Sequence, residues 1–217
     1  MARIRRRRAD AAAALAHLRR ADAVLARVID AHPGFDPRAW LDDLPAMDAF
    51  GALVFQVVGQ QLSVPSTRSI LDRLCAPYGG RLPTPRQLLD TRPAALRAAG
   101  LSARKVETLR TLGEAFEQGD LDEDALRAMS DEEIEHRLTA LPGVGPWTVH
   151  GMLIIALDRP DVVLPGDLAL RKAIKRVYGL DATPTPAQVL EMAEPWRPHR
   201  SLATAYLFQA AFEEGGA

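Results

Sequence analysis

Proline and glycine cut this chain into short segments, and that punctuation constrains the fold more than any other feature. Between the breaks alanine, leucine and arginine dominate, all good helix formers, while alternating β-branched runs are nearly absent. The pattern predicts an all-α fold with helices over Ala9–Ala31, Met47–Leu62, Ser66–Ala76, Pro85–Leu89, Pro93–Ala99 and Arg104–Phe116. Further helices are expected over Glu123–Ala128, Asp131–Thr139, Pro146–Leu157, Leu168–Val177, Pro186–Ala193 and Arg200–Phe212. In Arg104–Phe116 the residues Val106, Leu109, Leu112 and Phe116 recur at three- and four-residue steps and so share one face. Gly113 inside that helix costs about 1 kcal/mol relative to alanine, which makes its last turn the least secure. Ser102 and Ser130 stand at N-cap positions, and Glu133 gives Ser130 the spacing of a capping box.

Short connections favour antiparallel neighbours, and 217 residues suffice for one sizeable domain or two small lobes sharing a cleft. The reading adopted is two helical lobes flanking a cleft near the loop Asp158–Gly166. Residues 1–48 with 160–217 form one lobe, and residues 49–159 form the other. With 27 basic and 28 acidic residues, the net charge of −1 gives no hint of a polyanionic partner, so any basic face must be local. Cys75, the only cysteine, rules out an internal disulfide, a four-cysteine zinc site and a cysteine-held iron–sulfur cluster. His17, His32, His136, His150 and His199 lack metal-ligand spacing, and redox chemistry at a metal is not expected. No apolar stretch reaches the roughly 18 residues of a membrane span. The basic start Met1–Arg8 runs into Ala11–Ala14 rather than a long apolar core, so a cytoplasmic protein is expected. The run Arg5–Arg8 reads either as a solvated helix start or as a phosphate-binding arm.

The most informative stretch is Leu141-Pro142-Gly143-Val144-Gly145-Pro146-Trp147-Thr148. It follows one expected helix and opens another. Two glycines around a small apolar residue allow a tight turn and bring backbone N–H groups close to a ligand. Pro146 suits the first helical turn, where its missing N–H costs nothing. A helix start preceded by glycines favours an anion such as phosphate.

This hairpin resembles the helix-hairpin-helix of the HhH-GPD superfamily of DNA glycosylases. The stretch Val162-Val163-Leu164-Pro165-Gly166-Asp167-Leu168-Ala169-Leu170-Arg171-Lys172 resembles the family's loop with its catalytic aspartate, 24 positions after Gly143. Val58-Gly59-Gln60-Gln61-Leu62-Ser63 is similar to a signature of the 3-methyladenine DNA glycosylase II (AlkA-type) branch. Trp196-Arg197-Pro198-His199-Arg200-Ser201 looks like that branch's C-terminal motif. The longer members carry an N-terminal β-rich domain, whereas the 49 residues before Phe50 read here as helical, so that domain is expected to be absent. Bifunctional members carry a lysine where this hairpin has Trp147, so no Schiff base and no strand cleavage are expected.

The resemblance implies an enzyme that flips alkylated purines of the 3-methyladenine and 7-methylguanine type out of double-stranded DNA. It then hydrolyses the N-glycosidic bond and leaves an abasic site. Positive charge builds on the sugar as that bond breaks, and a fixed carboxylate stabilises it and orients the water. Asp167 is assigned that role. By itself it reads as the N-cap of Leu168–Val177, and one side chain can serve both purposes. Asp158 and Asp161 read as turn residues and are the weaker candidates. The substrate pocket is assigned to Trp147, Phe208, Gln60, His150, Gly151 and His199. Gly151 replaces a pocket tyrosine common in the family, which predicts a wider pocket; the histidines read equally as surface groups. Gln60, Gln61 and Leu62, with Ser63 next to them, are assigned to a minor-groove wedge. Gly143, Val144 and Gly145 are assigned to phosphates, together with Arg171 and Lys172 on the helix that also carries Lys175 and Arg176. No cofactor is required. A monovalent cation (Na or K) is implied at the backbone carbonyls of Thr139, Leu141 and Val144. The expected partner is damaged double-stranded DNA, bound by a monomer without a membrane. The rival readings are a non-catalytic hairpin module that binds damaged DNA, and a bifunctional glycosylase-lyase.

Overall fold

The computed structural model describes the backbone of residues 2–213 and the side chains of residues 10–211. The Arg5–Arg8 side chains, read above as a helix start or a phosphate arm, lie outside the described residues. Thirteen α-helices and no strand occur among the described residues, in keeping with the all-α expectation. The chain divides into two compact units, Met1–Ala39 with Arg159–Ala217, and Trp40–Asp158. Residues 40–48, assigned above with the termini, group with the central unit.

The central unit holds α3 (Ala49–Gly59), α4 (Val64–Cys75), α5 (Pro85–Asp90), α6 (Pro93–Ala98) and α7 (Ala103–Glu117). It continues with α8 (Glu123–Ala128), α9 (Asp131–Thr139) and α10 (Pro146–Ile155). Helix α3 is its axis: from Ala49 to Val58 every residue but Phe55 is buried, and α3 packs on α4, α7 and α10. A helix that is apolar nearly all round belongs inside such an array. Ser102 accepts the Lys105 amide at 3.2 Å, and the Ser130–Glu133 box closes with bonds of 3.2 and 2.8 Å. Helix α7 continues through Gly113 to Glu117. A Cβ at Gly113 would stand 3.3 Å from Leu89, so the glycine admits the close approach of α5 that its low helix propensity would not suggest.

The terminal unit holds α1 (Ala2–Ala21), α2 (Ala23–Ala31), α11 (Leu168–Tyr178), α12 (Pro186–Ala193) and α13 (Arg200–Glu213). The single helix expected over Ala9–Ala31 is in fact two. Asp22 breaks it because its carboxylate caps the next helix, accepting from Val24 N at 2.9 Å and Leu25 N at 3.0 Å. The other oxygen, Oδ2, accepts from Trp196 Nε1 at 2.9 Å and from the Tyr178 hydroxyl. Trp196 is wholly buried, so its indole N–H needs that partner. Burial pushes the Asp22 carboxyl up, but the bonds from Tyr178, Leu25, Trp196 and Val24 bring it below its ordinary value. The same burial and the same neighbour raise the Tyr178 phenol well above its own.

Candidate active site

The hairpin belongs to the central unit. Helix α9 ends at Thr139, whose hydroxyl donates to Glu135 O at 2.7 Å, and Leu141 N then bonds back to Leu138 O at 3.0 Å. Gly143 takes φ +83°, and a Cβ there would stand 2.0 Å from Thr108 Oγ1, so both the turn and the approach of α7 require glycine. Gly145 differs: its φ is −113° and a Cβ would meet nothing within 4 Å. It begins α10 with no side-chain cap. Val144, assigned above to phosphate contact, turns inward. Its side chain is buried and its amide donates to Leu141 O at 3.1 Å, so only Gly143 and Gly145 on this turn present amides without a backbone partner.

Gln60, assigned to the pocket and the wedge, works inside the unit instead. Its Nε2 donates to Gly143 O at 3.2 Å and to Thr148 Oγ1 at 3.0 Å, tying the end of α3 to the hairpin. Lys105, which the sequence reading passed over, donates from Nζ to Val58 O at 2.7 Å and to Gln60 O at 2.9 Å. Those are orphan carbonyls at the C-terminus of α3, where a cation also meets the helix dipole. Burial lowers the Lys105 pKa. Beyond this brace Gln61 adopts φ +58°, and Gln61, Leu62 and Ser63 are all exposed, as a wedge requires. Ser63 also caps α4, accepting from Ser66 N.

Trp147 is half-buried on the first turn of α10. Gly151, one turn later, does not widen a pocket as expected. Gln56 fills the space: its Nε2, Cδ and Oε1 would stand 2.2, 2.3 and 2.7 Å from a Cβ at Gly151. The signal for Gln56 was available, since it is the one strongly polar side chain between Ala49 and Val58. His150 points to α9, where its Nε2 lies 2.8 Å from Glu135 Oε2.

Asp167 belongs to the terminal unit. The loop that leads to it is anchored by Val162, Val163 and Leu164, all buried, and by the C-terminal motif. Ser201 Oγ accepts from Val162 N at 3.0 Å and donates to Arg159 O at 2.8 Å. Arg200 Nε and Nη2 reach the two oxygens of Asp161 at 2.7 and 3.1 Å, and Arg197 adds a third contact at 3.0 Å. Asp161 is therefore a structural ion-pair partner. Asp158 is exposed, with a positive φ of +55°, in the irregular segment after α10. Asp167 itself is only partly buried, and its Oδ1 accepts from Leu170 N at 2.7 Å as the N-cap of α11.

The remaining assigned residues divide. Phe208 is half-buried on α13. His199 packs edge-on against His17 with ring centroids 5.4 Å apart, and burial, then the His17 neighbour, lowers its pKa against the opposing pull of Asp161. Arg171 donates from Nε to Pro184 O at 2.6 Å, which fixes its stem within the unit, while Lys172 is exposed. Among the described residues no helix is long and apolar enough to cross a membrane.

Residues 54–198 match the family model of the HhH-GPD superfamily of base excision DNA repair proteins, and the chain belongs to that superfamily. It is 34% identical over 167 residues to DNA-3-methyladenine glycosylase 1 of Schizosaccharomyces pombe, covering 76% of this chain and 73% of the relative. It is 31% identical over 172 residues to DNA-3-methyladenine glycosylase 2 of Escherichia coli, covering 75% of this chain and 57% of that one. Among solved structures it is similar to the Schizosaccharomyces pombe 3-methyladenine DNA glycosylase in complex with abasic DNA. The TM-score is 0.83 at 30% identity, covering 91% of this chain and 96% of the other.

Proposed function

We propose that this protein is a monofunctional DNA-3-methyladenine glycosylase, in which Asp167 drives hydrolysis of the N-glycosidic bond of an extruded alkylated purine. The observation that carries the reading is the condition of the three acidic residues between 158 and 167. Asp161 is bound by two arginines, Asp158 is exposed at a positive φ in an irregular segment, and Asp167 is held by its own helix start. The 2.7 Å bond from Leu170 N fixes the Asp167 rotamer in advance, which is what electrostatic stabilisation of a developing charge needs.

As the C1′–N bond breaks, its electron pair leaves with the base and the sugar gains positive charge. The Asp167 carboxylate stabilises that charge and accepts a proton from the water whose oxygen bonds to C1′. Trp147 supplies an aromatic face for an electron-poor base, a contact of about 0.5–2 kcal/mol, with Phe208 as a second aromatic. The amides of Gly143 and Gly145 take phosphate, Gln61 and Leu62 fill the gap left by the base, and Lys172 adds positive charge. Leu141 O accepts one bond from Val144 N and keeps a lone pair, which suits a monovalent cation (Na or K) shared with the carbonyls of Thr139 and Val144. That cation would add positive charge on the phosphate side, and no step of the reaction passes through it. The protein acts as a monomer, in the cytoplasm.

The test is release of free base from methylated duplex DNA by wild type and by Asp167→Asn. Wild type is expected to release methylpurines, and the variant to lose about two orders of magnitude or more while still binding abasic duplex. Full activity in the variant would overturn the role of Asp167. Binding without release by wild type would instead favour a non-catalytic hairpin module.

A further inference from the structure

Gln56 is an unusual residue to find at the centre of α3. Its side chain is buried, the residue being 6% exposed, and Oε1 has no hydrogen-bond partner. Buried polar atoms are nearly always satisfied, so this orphan acceptor calls for a partner such as a water, an ion or a ligand group. Its position says which partner. The carboxamide covers Gly151 on α10, where a Cβ would stand 2.2 Å from Nε2. Gly151 lies four residues after Trp147, so the two share one face of the helix. The group therefore lies one turn beyond the half-buried tryptophan, with glycine as the only residue that leaves it room.

We infer that the Gln56 carboxamide is a specificity-determining group of the base pocket, whose Oε1 accepts a hydrogen from an N–H on the edge of the base stacked against Trp147. The inference rests on the glycosylase reading above and adds a substrate class to it. 3-Methyladenine offers the N–H of its exocyclic amine, and 7-methylguanine offers its ring N–H and amine. In 1,N6-ethenoadenine both edge nitrogens are closed into a ring and carry no hydrogen. A site that accepts a hydrogen bond rejects an analogue without the donor, because the buried acceptor is then left unpaired beside the ligand. The preferred substrates are thus alkylated purines with a donor edge, and ethenoadenine is discriminated against.

The experiment compares single-turnover excision of 7-methylguanine and of ethenoadenine from otherwise identical duplexes, by wild type and by Gln56→Met. Methionine keeps much of the volume and removes the acceptor. The ratio of the two rates is expected to fall by about tenfold or more in the variant, with the ethenoadenine rate holding or rising. Gly151→Ala attacks the same contact from the other helix by displacing the carboxamide. It is expected to lower the ratio in the same direction, and it serves where Gln56→Met does not fold. A folded variant with wild-type release and an unchanged ratio would overturn the role of Gln56 and leave the glycosylase reading standing. Failure of wild type to release any methylpurine would remove that reading itself.

Discussion

The starts of α10 and α11 are the two regions most worth setting side by side. Both follow a loop containing Pro and Gly, and both meet the same local problem of unpaired amides at a helix start. At α10 the N-cap is Gly145, which offers no side chain as a cap, and the space a side chain would occupy is open. At α11 the N-cap is Asp167, whose carboxylate takes the Leu170 amide at 2.7 Å. One start has no side-chain cap, while the other uses a donor to hold an acidic group still. A third start sharpens the contrast. Asp22 caps α2 as Asp167 caps α11, and its other oxygen accepts from Tyr178 and Trp196 inside the unit. The same residue type at the same position is structural in one case and, on the proposal above, catalytic in the other.

If that distinction holds, substitution at the three starts separates activity from stability. The largest effect is that of Asp167→Asn, already set out as a loss of about two orders of magnitude in base release. Asparagine caps helices about as well as aspartate, so its melting temperature is expected to stay close to wild type. A large fall in melting temperature alongside the loss of activity would make Asp167 a structural cap like Asp22.

Asp22→Ala is expected to cost about 2–4 kcal/mol at pH 7, because it removes a cap and leaves the Trp196 and Tyr178 donors without their acceptor. The folded carboxyl has a lowered pKa, so its contribution is present above the ordinary aspartate value of 3.8 and is lost as pH falls below it. Denaturant melts between pH 7 and pH 3 should show wild type and variant converging on the acid side. Parallel curves would mean that Asp22 carries no such linkage.

The hairpin glycines are expected to respond differently from one another. Gly143→Ala brings a methyl group against Thr108 at a positive φ, and a loss of about 2–3 kcal/mol is expected in thermal or denaturant melts. Gly145→Ala meets nothing, so stability should change by less than about 1 kcal/mol. On the proposed phosphate contact at Gly145 the methyl group obstructs that approach, and binding to abasic duplex is expected to weaken roughly fivefold. Equal behaviour of the two variants in both assays would end the distinction between a packed glycine and an exposed one.

Much of this was legible in the chain alone. The helix boundaries at Glu123, Asp131, Pro146, Leu168 and Pro186 follow from caps and prolines, which are local signals needing no partner. The hairpin and Asp167 were legible because a tight turn and a capped helix are written in consecutive residues. Asp22 was missed as a break because its neighbours all favour helix. Its role depends on Tyr178 and Trp196, more than 150 positions away.

What only the tertiary structure decided is which polar side chains already have work to do. Gln60 and Lys105 brace the end of α3, Arg200 and Arg197 occupy Asp161, His150 meets Glu135, and Gln56 fills the space at Gly151. Each of these assignments joins residues distant in sequence. Side-chain hydrogen bonds and close packing depend on position in space, and a pattern of consecutive residues carries that information only within a few turns of one helix.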